Sequence, residues 1–249
     1  MKQCASAMCG ALACLALSAF SDETNRVTVV NKGYPGANTR DALRVLPKEV
    51  LPLKPHHAVV FFGMNDAMNS ANLLPLDTYE TNLRAIISRL REGGVKTVAL
   101  VSIHPVIEPY LAARHPKHPQ KDRLQDWLAT YDQTVRKLAE ELACPLIDLR
   151  AIVEKNGGAA ISENSLIRCE KNGGGKDGTH LTPAAYALLG QAAFETLKTR
   201  AAPGDTVVCF GDSLTFGASV KGAGSTSGET YPAILQDRLN RHFTPAGKP

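Results

Sequence analysis

Residues 206–214 read Thr206-Val207-Val208-Cys209-Phe210-Gly211-Asp212-Ser213-Leu214. The apolar run at 206–210 is typical of a buried strand, and the glycine after it indicates a tight turn. In open α/β sheets, reactive groups lie just beyond the carboxyl ends of the strands, which is where Ser213 falls. A serine at that point is either a nucleophile, if a base lies within reach, or an ordinary turn residue. The rest of the chain decides between these two interpretations.

Apolar runs alternate with amphipathic segments along the rest of the chain. Further strands are predicted at 26–31, 57–62, 96–106 and 145–149. Helices are predicted over about 39–46, 77–92, 124–142, 183–197 and 231–243, and loops over 108–121 and 156–175. Strand and helix alternate five times, which indicates a three-layer α/β/α sandwich around a five-stranded parallel sheet.

The composition is ordinary for a globular protein and allows one α/β domain or two small ones. The chain has 249 residues, of which 44% are hydrophobic, and this is enough for one substantial core. Its net charge of +4 is spread along the chain without a basic stripe interleaved with aromatic residues, so nucleic acid is not expected as a partner. Because strand and helix alternate along the whole chain after the first 20 residues, we expect a single domain over residues 21–249.

Residues 1–20 have the pattern of a secretory signal peptide. Lys2 precedes a mostly apolar run, and Ala16-Leu17-Ser18 resembles a cleavage site. A lipoprotein leader with Cys14 and a buried N-terminal helix are the alternatives. The run is too short for a convincing membrane span. The sequence thus predicts a secreted or periplasmic protein with no stable membrane span after cleavage.

Three cysteines follow the leader, namely Cys144, Cys169 and Cys209. Cys209 lies in an apolar strand and is expected to be a buried hydrophobic residue. Cys144 and Cys169 could pair in an oxidising compartment, but their spacing does not establish a disulfide. No cysteine or histidine cluster has the spacing of a zinc site, so neither a metal nor another cofactor is predicted.

Two further histidine segments have open interpretations. The stretch His115-Pro116-Lys117-His118-Pro119 could bind a metal or form the rim of a substrate site. Its two prolines and the lack of a nearby carboxylate favour a solvated loop. His104 follows a predicted strand and could face a cleft, or it could be an ordinary turn residue.

Four polar segments follow strands or precede a helix: Ser213, the turn at 33–38, Asn65, and the pair Asp177 and His180. Because the ends of parallel strands open on one edge of a sheet, these segments can converge. Ester hydrolysis needs such a set. A serine requires a histidine to accept its proton, the histidine requires a carboxylate, and the oxyanion requires hydrogen-bond donors.

These segments together resemble motifs of the SGNH (GDSL) hydrolase family. Gly211-Asp212-Ser213-Leu214 is similar to the nucleophile motif of that family, and Asn31-Lys32-Gly33-Tyr34-Pro35-Gly36 resembles its second motif. Gly63-Met64-Asn65-Asp66 resembles its Gly-x-Asn-Asp motif, and Asp177-Gly178-Thr179-His180 its Asp-x-x-His motif. The resemblance extends over the whole chain after the leader, and four motifs together are far more specific than any one.

The resemblance implies a serine esterase with a flavodoxin-like sheet that needs no metal or cofactor. By this resemblance the catalytic residues are Ser213, His180 and Asp177, and the oxyanion donors are Ser213, Gly36 and Asn65. Together with export, it favours a carbohydrate O-acetylesterase acting on a small-molecule or carbohydrate ester. The alternatives are a lipolytic esterase of the lysophospholipase or thioesterase type, and a non-catalytic carbohydrate-binding protein on the same scaffold.

The order of the motifs departs from the family pattern. In the family the serine motif comes first, whereas here it follows the Asp-x-x-His motif. The chain therefore resembles a circular permutant, in which residues 201–205 form the new connection. If so, the strand before Ser213 must insert between the strands predicted at 26–31 and 57–62.

Overall fold

The computed structural model describes residues 26–244. Its strands are β1 (Thr28–Gly33), β2 (His57–Phe61), β3 (Thr97–Val101), β4 (Leu146–Ile147) and β5 (Thr206–Gly211). They form one parallel sheet in the order β1-β5-β2-β3-β4. The predicted five-stranded parallel sheet is confirmed, while the predicted signal peptide at residues 1–20 lies outside the described residues.

The last strand in sequence is central in space. In β5, Val207 lies opposite Val29 of β1, and Cys209 lies opposite Val59 of β2. All residues of β2, and all of β5 except Thr206, are buried. Strands covered on both faces are apolar throughout rather than alternating, which is why these two runs are readable in the sequence.

Helices cover both faces of the sheet, as the sandwich prediction requires. The helices are α1 (Thr39–Val45), α2 (Met64–Met68), α3 (Leu76–Glu92), α4 (Glu108–Arg114), α5 (Leu124–Glu141), α6 (Leu149–Lys155), α7 (Pro183–Leu197), α8 (Ser213–Phe216) and α9 (Tyr231–Phe243). Helix α3 contacts α1 and α5, while α7 contacts α9, which in turn contacts β1. These two groups form the outer layers. No helix in the described part of the chain has the length and hydrophobicity needed to cross a membrane.

Capping residues satisfy the first turns of α7 and α9. The side chain of Thr182 accepts a hydrogen bond from the Ala185 N–H, and Pro183 occupies the first helical turn. Thr230 and Pro232 repeat this arrangement in α9. A hydroxyl that accepts an otherwise unpaired N–H, and a proline that needs no donor, both suit a helix start. The predicted start of α7 is therefore confirmed.

The loop predicted at 108–121 contains a helix, so that prediction is wrong over residues 108–114. Pro109 lies in the first turn of α4, where a proline is tolerated, but the many prolines nearby make the segment look irregular. His118 is also not solvated: it is 2% exposed, and its Nε2 lies 2.8 Å from the Ala67 carbonyl oxygen. A short helix with one buried side chain, Leu111, has no visible periodicity.

Smaller differences concern strand lengths and the cysteines. β3 ends at Val101 rather than at 106, and β4 has two residues. Helix α6, which follows β4, was not expected from the sequence. Cys144, Cys169 and Cys209 are buried and unpaired, so Cys144 and Cys169 form no disulfide here.

The connection from α7 to β5 is fastened to the sheet. Within it, the Gly204 N–H donates to the Arg26 carbonyl (2.9 Å), and the Asp205 carbonyl accepts from the Thr28 N–H (2.9 Å). These hydrogen bonds position the start of β5 beside β1. The predicted insertion of this strand between β1 and β2 is observed.

Candidate active site

Ser213 lies immediately beyond the carboxyl end of the central strand β5. Asp212 caps α8, because its Oδ1 accepts the Leu214 N–H (2.8 Å), and Ser213 is the first helical residue. The turn before it has no room for a side chain. A Cβ on Gly211 would lie 2.1 Å from Thr215 Oγ1 and 2.5 Å from the Phe61 carbonyl oxygen. This tight strand–turn–helix holds the serine hydroxyl at the edge of the sheet.

His180 joins Ser213 to Asp177. Its Nε2 lies 3.2 Å from Ser213 Oγ, and its Nδ1 lies 2.9 Å from Asp177 Oδ2. Nδ1–H donation to the carboxylate leaves Nε2 free to accept the serine hydroxyl proton; this tautomer is assigned from the hydrogen-bond network. The three side chains therefore form the chain of contacts that a nucleophilic serine requires.

The local turn orients the carboxylate. Asp177 Oδ1 accepts the backbone N–H of Thr179 (3.0 Å) and of His180 (2.9 Å). Burial alone would raise the pKa of Asp177, but the hydrogen bonds and charge of His180 and the two backbone donors outweigh it. As a result, the pKa lies well below its usual value. Asp177 thus remains ionised behind His180.

A neighbouring segment braces the same turn. The Arg168 N–H donates to the His180 carbonyl (2.9 Å), and the Arg168 carbonyl accepts from the Gly178 N–H (2.9 Å). The Arg168 guanidinium Nε lies 3.8 Å from Asp177 Oδ2. No motif in the sequence points to Arg168, since its position depends on chain pairing rather than on spacing.

Asn65 and Gly36 face the same space. Asn65 Nδ2 donates one hydrogen to Asp212 Oδ2 (3.0 Å), and the second hydrogen remains available to a ligand. Gly36 has φ of +79°, a conformation that glycine adopts without strain. Both residues line the cavity that contains Ser213 and His180. The structure therefore brings together all the site residues expected from the sequence.

Two buried aspartates hold the Asn65 segment and the Ser213 turn in place. Asp66 accepts hydrogen bonds from Thr39 N–H (3.0 Å) and Thr39 Oγ1 (2.5 Å), which ties the Asn65 turn to the start of α1. Burial raises the pKa of Asp66 to about 6 and that of Asp212 to about 7. Both carboxyls accept hydrogen bonds from neighbouring segments, and neither lines the cavity.

The cavity has a volume of about 380 Å³. Apart from the site residues, its wall consists of apolar side chains and a small polar group that includes one cation. They are Pro35, Met64, Met68, Asn69, Leu111, Arg114, His115, Thr179 and Ala218. Arg114 and the two methionines had no signal in the sequence. His104 is not among the lining residues: it is fully buried, and burial lowers its pKa to about 4.

This fold and site define the class of protein as a serine esterase on an α/β sandwich. A sequence model of the GDSL-like lipase/acylhydrolase family matches residues 12–188, which is more than half of the chain. The chain belongs to this family and acts on ester bonds. The matched range ends before the Gly211-Asp212-Ser213-Leu214 turn.

Individual proteins resemble the chain over two thirds or more of its length. The chain is 23% identical to the isoamyl acetate-hydrolyzing esterase of Saccharomyces cerevisiae, covering 74% of this chain and 75% of the relative. It is 27% identical to the lipoprotein YqeF of Bacillus subtilis, in an alignment that covers 67% of this chain and 72% of the relative. Its fold is similar to that of a lipase/acylhydrolase from Enterococcus faecalis, with a TM-score of 0.55 and 22% identity over 72% of this chain and 99% of that one.

Proposed function

We propose that Ser213 is the nucleophile of this esterase, with His180 as the general base and Asp177 as its orienting carboxylate. The observation that carries the proposal is the position of His180 between Ser213 Oγ (3.2 Å) and Asp177 Oδ2 (2.9 Å), at the wall of a cavity. A serine hydroxyl is a weak nucleophile until a base takes its proton, and His180 is placed to take it.

The reaction has two halves. Ser213 Oγ bonds to the ester carbonyl carbon while its proton passes to His180 Nε2. The C–O bond to the alcohol then breaks, and His180 returns the proton to the leaving oxygen. In the second half, water attacks the acyl-serine with the same help from His180. This releases the carboxylic acid and restores Ser213.

The negative oxygen formed at each attack needs donors that are already in place. We assign this role to the backbone N–H groups of Ser213 and Gly36 and to the second Nδ2 hydrogen of Asn65. Asp212 holds the Asn65 amide in one orientation through the 3.0 Å hydrogen bond. Because an amide so held needs no reorganisation, it stabilises the transition state more than it stabilises the substrate.

For the substrate, we propose an acetyl ester of a carbohydrate. A cavity of about 380 Å³ suits a short acyl group together with part of a sugar ring. The yeast relative is named for hydrolysis of an acetate ester, which supports the acetyl part. The apolar wall of Met64, Met68 and Leu111 favours a second candidate, a lipolytic esterase for longer acyl chains.

The test is hydrolysis of p-nitrophenyl esters from acetate to octanoate by the full chain and by Ser213→Ala, each with and without EDTA. We expect Ser213→Ala to lose activity by about 10³-fold or more. Ser88→Ala, an exposed serine of α3, is the matched control and should keep full activity. Equal activity of Ser213→Ala and the parent would remove Ser213 from the mechanism. Without activity in either protein, the scaffold would be a binding protein.

The chain-length profile separates the two substrate classes. A sharp fall in kcat/KM beyond acetate supports the carbohydrate acetylesterase. A rise toward octanoate instead supports the lipolytic enzyme, with the apolar wall as the acyl site.

We further propose that the protein is exported by way of residues 1–20. The name of the Bacillus subtilis relative, a lipoprotein, keeps lipid attachment at Cys14 as the alternative to cleavage near residue 20. Mass spectrometry of the N-terminus of exported protein distinguishes a free new terminus from a lipidated cysteine.

We also infer that the family order of segments is circularly permuted in this chain. Two observations support the inference. The family match at 12–188 stops short of the Ser213 turn, and β5 enters the middle of the sheet from a connection at 198–205. A chain rebuilt with the Ser213 segment before β1 should fold and retain activity; an unfolded product would contradict the inference.

A further inference from the structure

Arg114 gives the active-site cavity a positive charge that no carboxylate lining it balances. Among the described residues, the cavity wall contains no aspartate or glutamate, and Arg114 takes part in no ion pair. Arg44, in a neighbouring cavity, is by contrast paired with Asp41 at 3.1 Å. A guanidinium without an ion-pair partner in a concave site attracts anions.

The guanidinium is held in one orientation by neutral acceptors. Its Nη2 donates to the carbonyls of Lys176 (3.2 Å) and Asp177, and its Nη1 lies 3.5 Å from Thr179 Oγ1. These partners orient the group without neutralising its charge. Because the Arg114 guanidinium is already positioned, less rotamer entropy is lost when an anion binds its remaining N–H groups.

The contacts of Arg114 favour the alcohol side of the reacting ester as the part of the substrate that it meets. The leaving oxygen must approach His180 Nε2 to receive its proton, and Arg114 contacts Thr179, the residue before His180. The donors assigned to the oxyanion, Gly36 and Asn65, come from other segments of the cavity wall. A group bound at Arg114 therefore belongs to the alcohol part of the substrate rather than to the developing oxyanion.

We propose that the preferred substrates carry an anionic group, a carboxylate or a phosphate, on their alcohol portion, and that Arg114 binds it. The inference rests on the proposed function and deepens it. Within carbohydrate esters, it selects those of acidic sugars, such as sugars bearing a carboxylate, over those of neutral sugars. The N–H groups that remain on Nε and Nη1 of Arg114 can donate charge-assisted hydrogen bonds to either anion, so the experiment has to separate carboxylate from phosphate.

The test compares two esters of nearly the same shape and different charge, 4-acetoxybenzoate and its neutral analogue 4-acetoxybenzamide, with 4-acetoxyphenyl phosphate as the phosphate arm. We expect the full chain to hydrolyse the anionic esters with the higher kcat/KM. In Arg114→Gln, the anionic-to-neutral ratio should fall about 10- to 100-fold, as expected for loss of a hydrogen bond to a charged group. Arg114→Lys should retain part of the preference. The anionic ester with the larger ratio identifies carboxylate or phosphate as the natural group.

Lys117→Gln is the matched control, because it removes the same unit of charge three residues away on an exposed side chain that does not line the cavity. The anionic-to-neutral ratio of kcat/KM in Lys117→Gln should stay within about twofold of the parent's ratio. An equal fall in Lys117→Gln would indicate a long-range field and overturn the specific contact. Equal losses on charged and neutral esters in Arg114→Gln would show that the arginine acts only through the Asp177 turn, which also overturns the proposal.

Failure of the proposed function remains distinguishable from failure of this inference. Calorimetric binding of the product 4-hydroxybenzoate, with 4-hydroxybenzamide as the neutral reference, needs no turnover. A preference for the anion that disappears in Arg114→Gln supports the anion site even if Ser213→Ala proves Ser213 not to be the nucleophile. Equal binding of the two compounds to the full chain contradicts the anion site even if Ser213 is confirmed.

Discussion

Two Asp–His pairs with nearly the same separation lie at opposite ends of the sheet. At the carboxyl end, Asp177 Oδ2 is 2.9 Å from His180 Nδ1; at the amino end, Asp205 Oδ2 is 3.0 Å from His57 Nε2. The surroundings differ sharply, since the His180 side chain is 23% exposed and that of His57 only 1%. The carboxyl-end pair reaches Ser213 and a cavity, while the amino-end pair is enclosed by the ends of strands.

The amino-end pair fastens a connection rather than preparing a reaction. Asp205 also accepts the Ala202 N–H (2.9 Å), so it ties the loop before β5 to the first residue of β2. Burial lowers the pKa of His57 more than Asp205 raises it, and His57 Nδ1 has no hydrogen-bond partner among the described residues. An Asp–His pair thus becomes a candidate for catalysis only when a nucleophile and an open space adjoin it.

The largest expected effect comes from removing each carboxylate in turn. Asp177→Asn should lower kcat/KM for p-nitrophenyl acetate by about 10³- to 10⁴-fold, because the amide no longer holds the required His180 tautomer. Asp205→Asn should leave kcat/KM within about threefold of the parent and instead lower the melting temperature. Steady-state kinetics gives kcat/KM and thermal unfolding gives the melting temperature of both variants. Comparable loss of activity in Asp177→Asn and Asp205→Asn would contradict the inference that only the pair at the carboxyl end of the sheet takes part in catalysis.

A smaller effect should follow from removing the proposed oxyanion donor Asn65, which lies at the carboxyl end. Asn65→Ala should lower kcat by about 10²- to 10³-fold with little change in KM, because the lost contact forms mainly in the transition state. Asn69→Ala, which removes another asparagine from the same wall, is the control and should keep kcat within a few-fold. A kinetically silent Asn65→Ala would exclude Asn65 from the oxyanion site.

The smallest expected effect is a pH dependence of stability that originates at the amino end. Burial lowers the pKa of His57 in the folded protein, while in the unfolded chain His57 takes up a proton near its ordinary pKa of about 6.5. The unfolded state therefore binds more protons as the pH falls below that value, so the free energy of unfolding should decrease. Asp205, with its pKa lowered, should add a further loss when the pH falls through the usual carboxyl range.

Urea unfolding of the parent and of His57→Gln at pH 7.5, 6 and 5 measures this contribution. The variant should be less stable at pH 7.5 and should lose less stability on acidification. Part of the slope should remain, because burial also lowers the pKa of His104 and of His115. An unchanged slope in His57→Gln would show that His57 titrates alike in both states.

The sequence by itself determined the sheet and the triad candidates. The apolar runs of β2 and β5 and the periodic stripes of α5, α7 and α9 are local patterns that burial imposes on consecutive residues. The Asp177-Gly178-Thr179-His180 turn is equally local, since Asp177 Oδ1 bonds to backbone N–H groups only two and three residues away. Because parallel strands share one edge, even the convergence of Ser213, Asn65 and His180 could be foreseen.

Only the tertiary structure decided which other side chains reach the site and which histidines are buried. Arg114 lies in a short helix without periodicity, and its orientation depends on a carbonyl 62 residues further along the chain. Asp212 bonds to Asn65 across a separation of 147 residues, and His118 Nε2 contacts a carbonyl of helix α2 that lies 51 residues before it. Such contacts leave no pattern in neighbouring residues. They are set by how the layers meet around the sheet, which is also what separates the pair beside Ser213 from the pair that is buried.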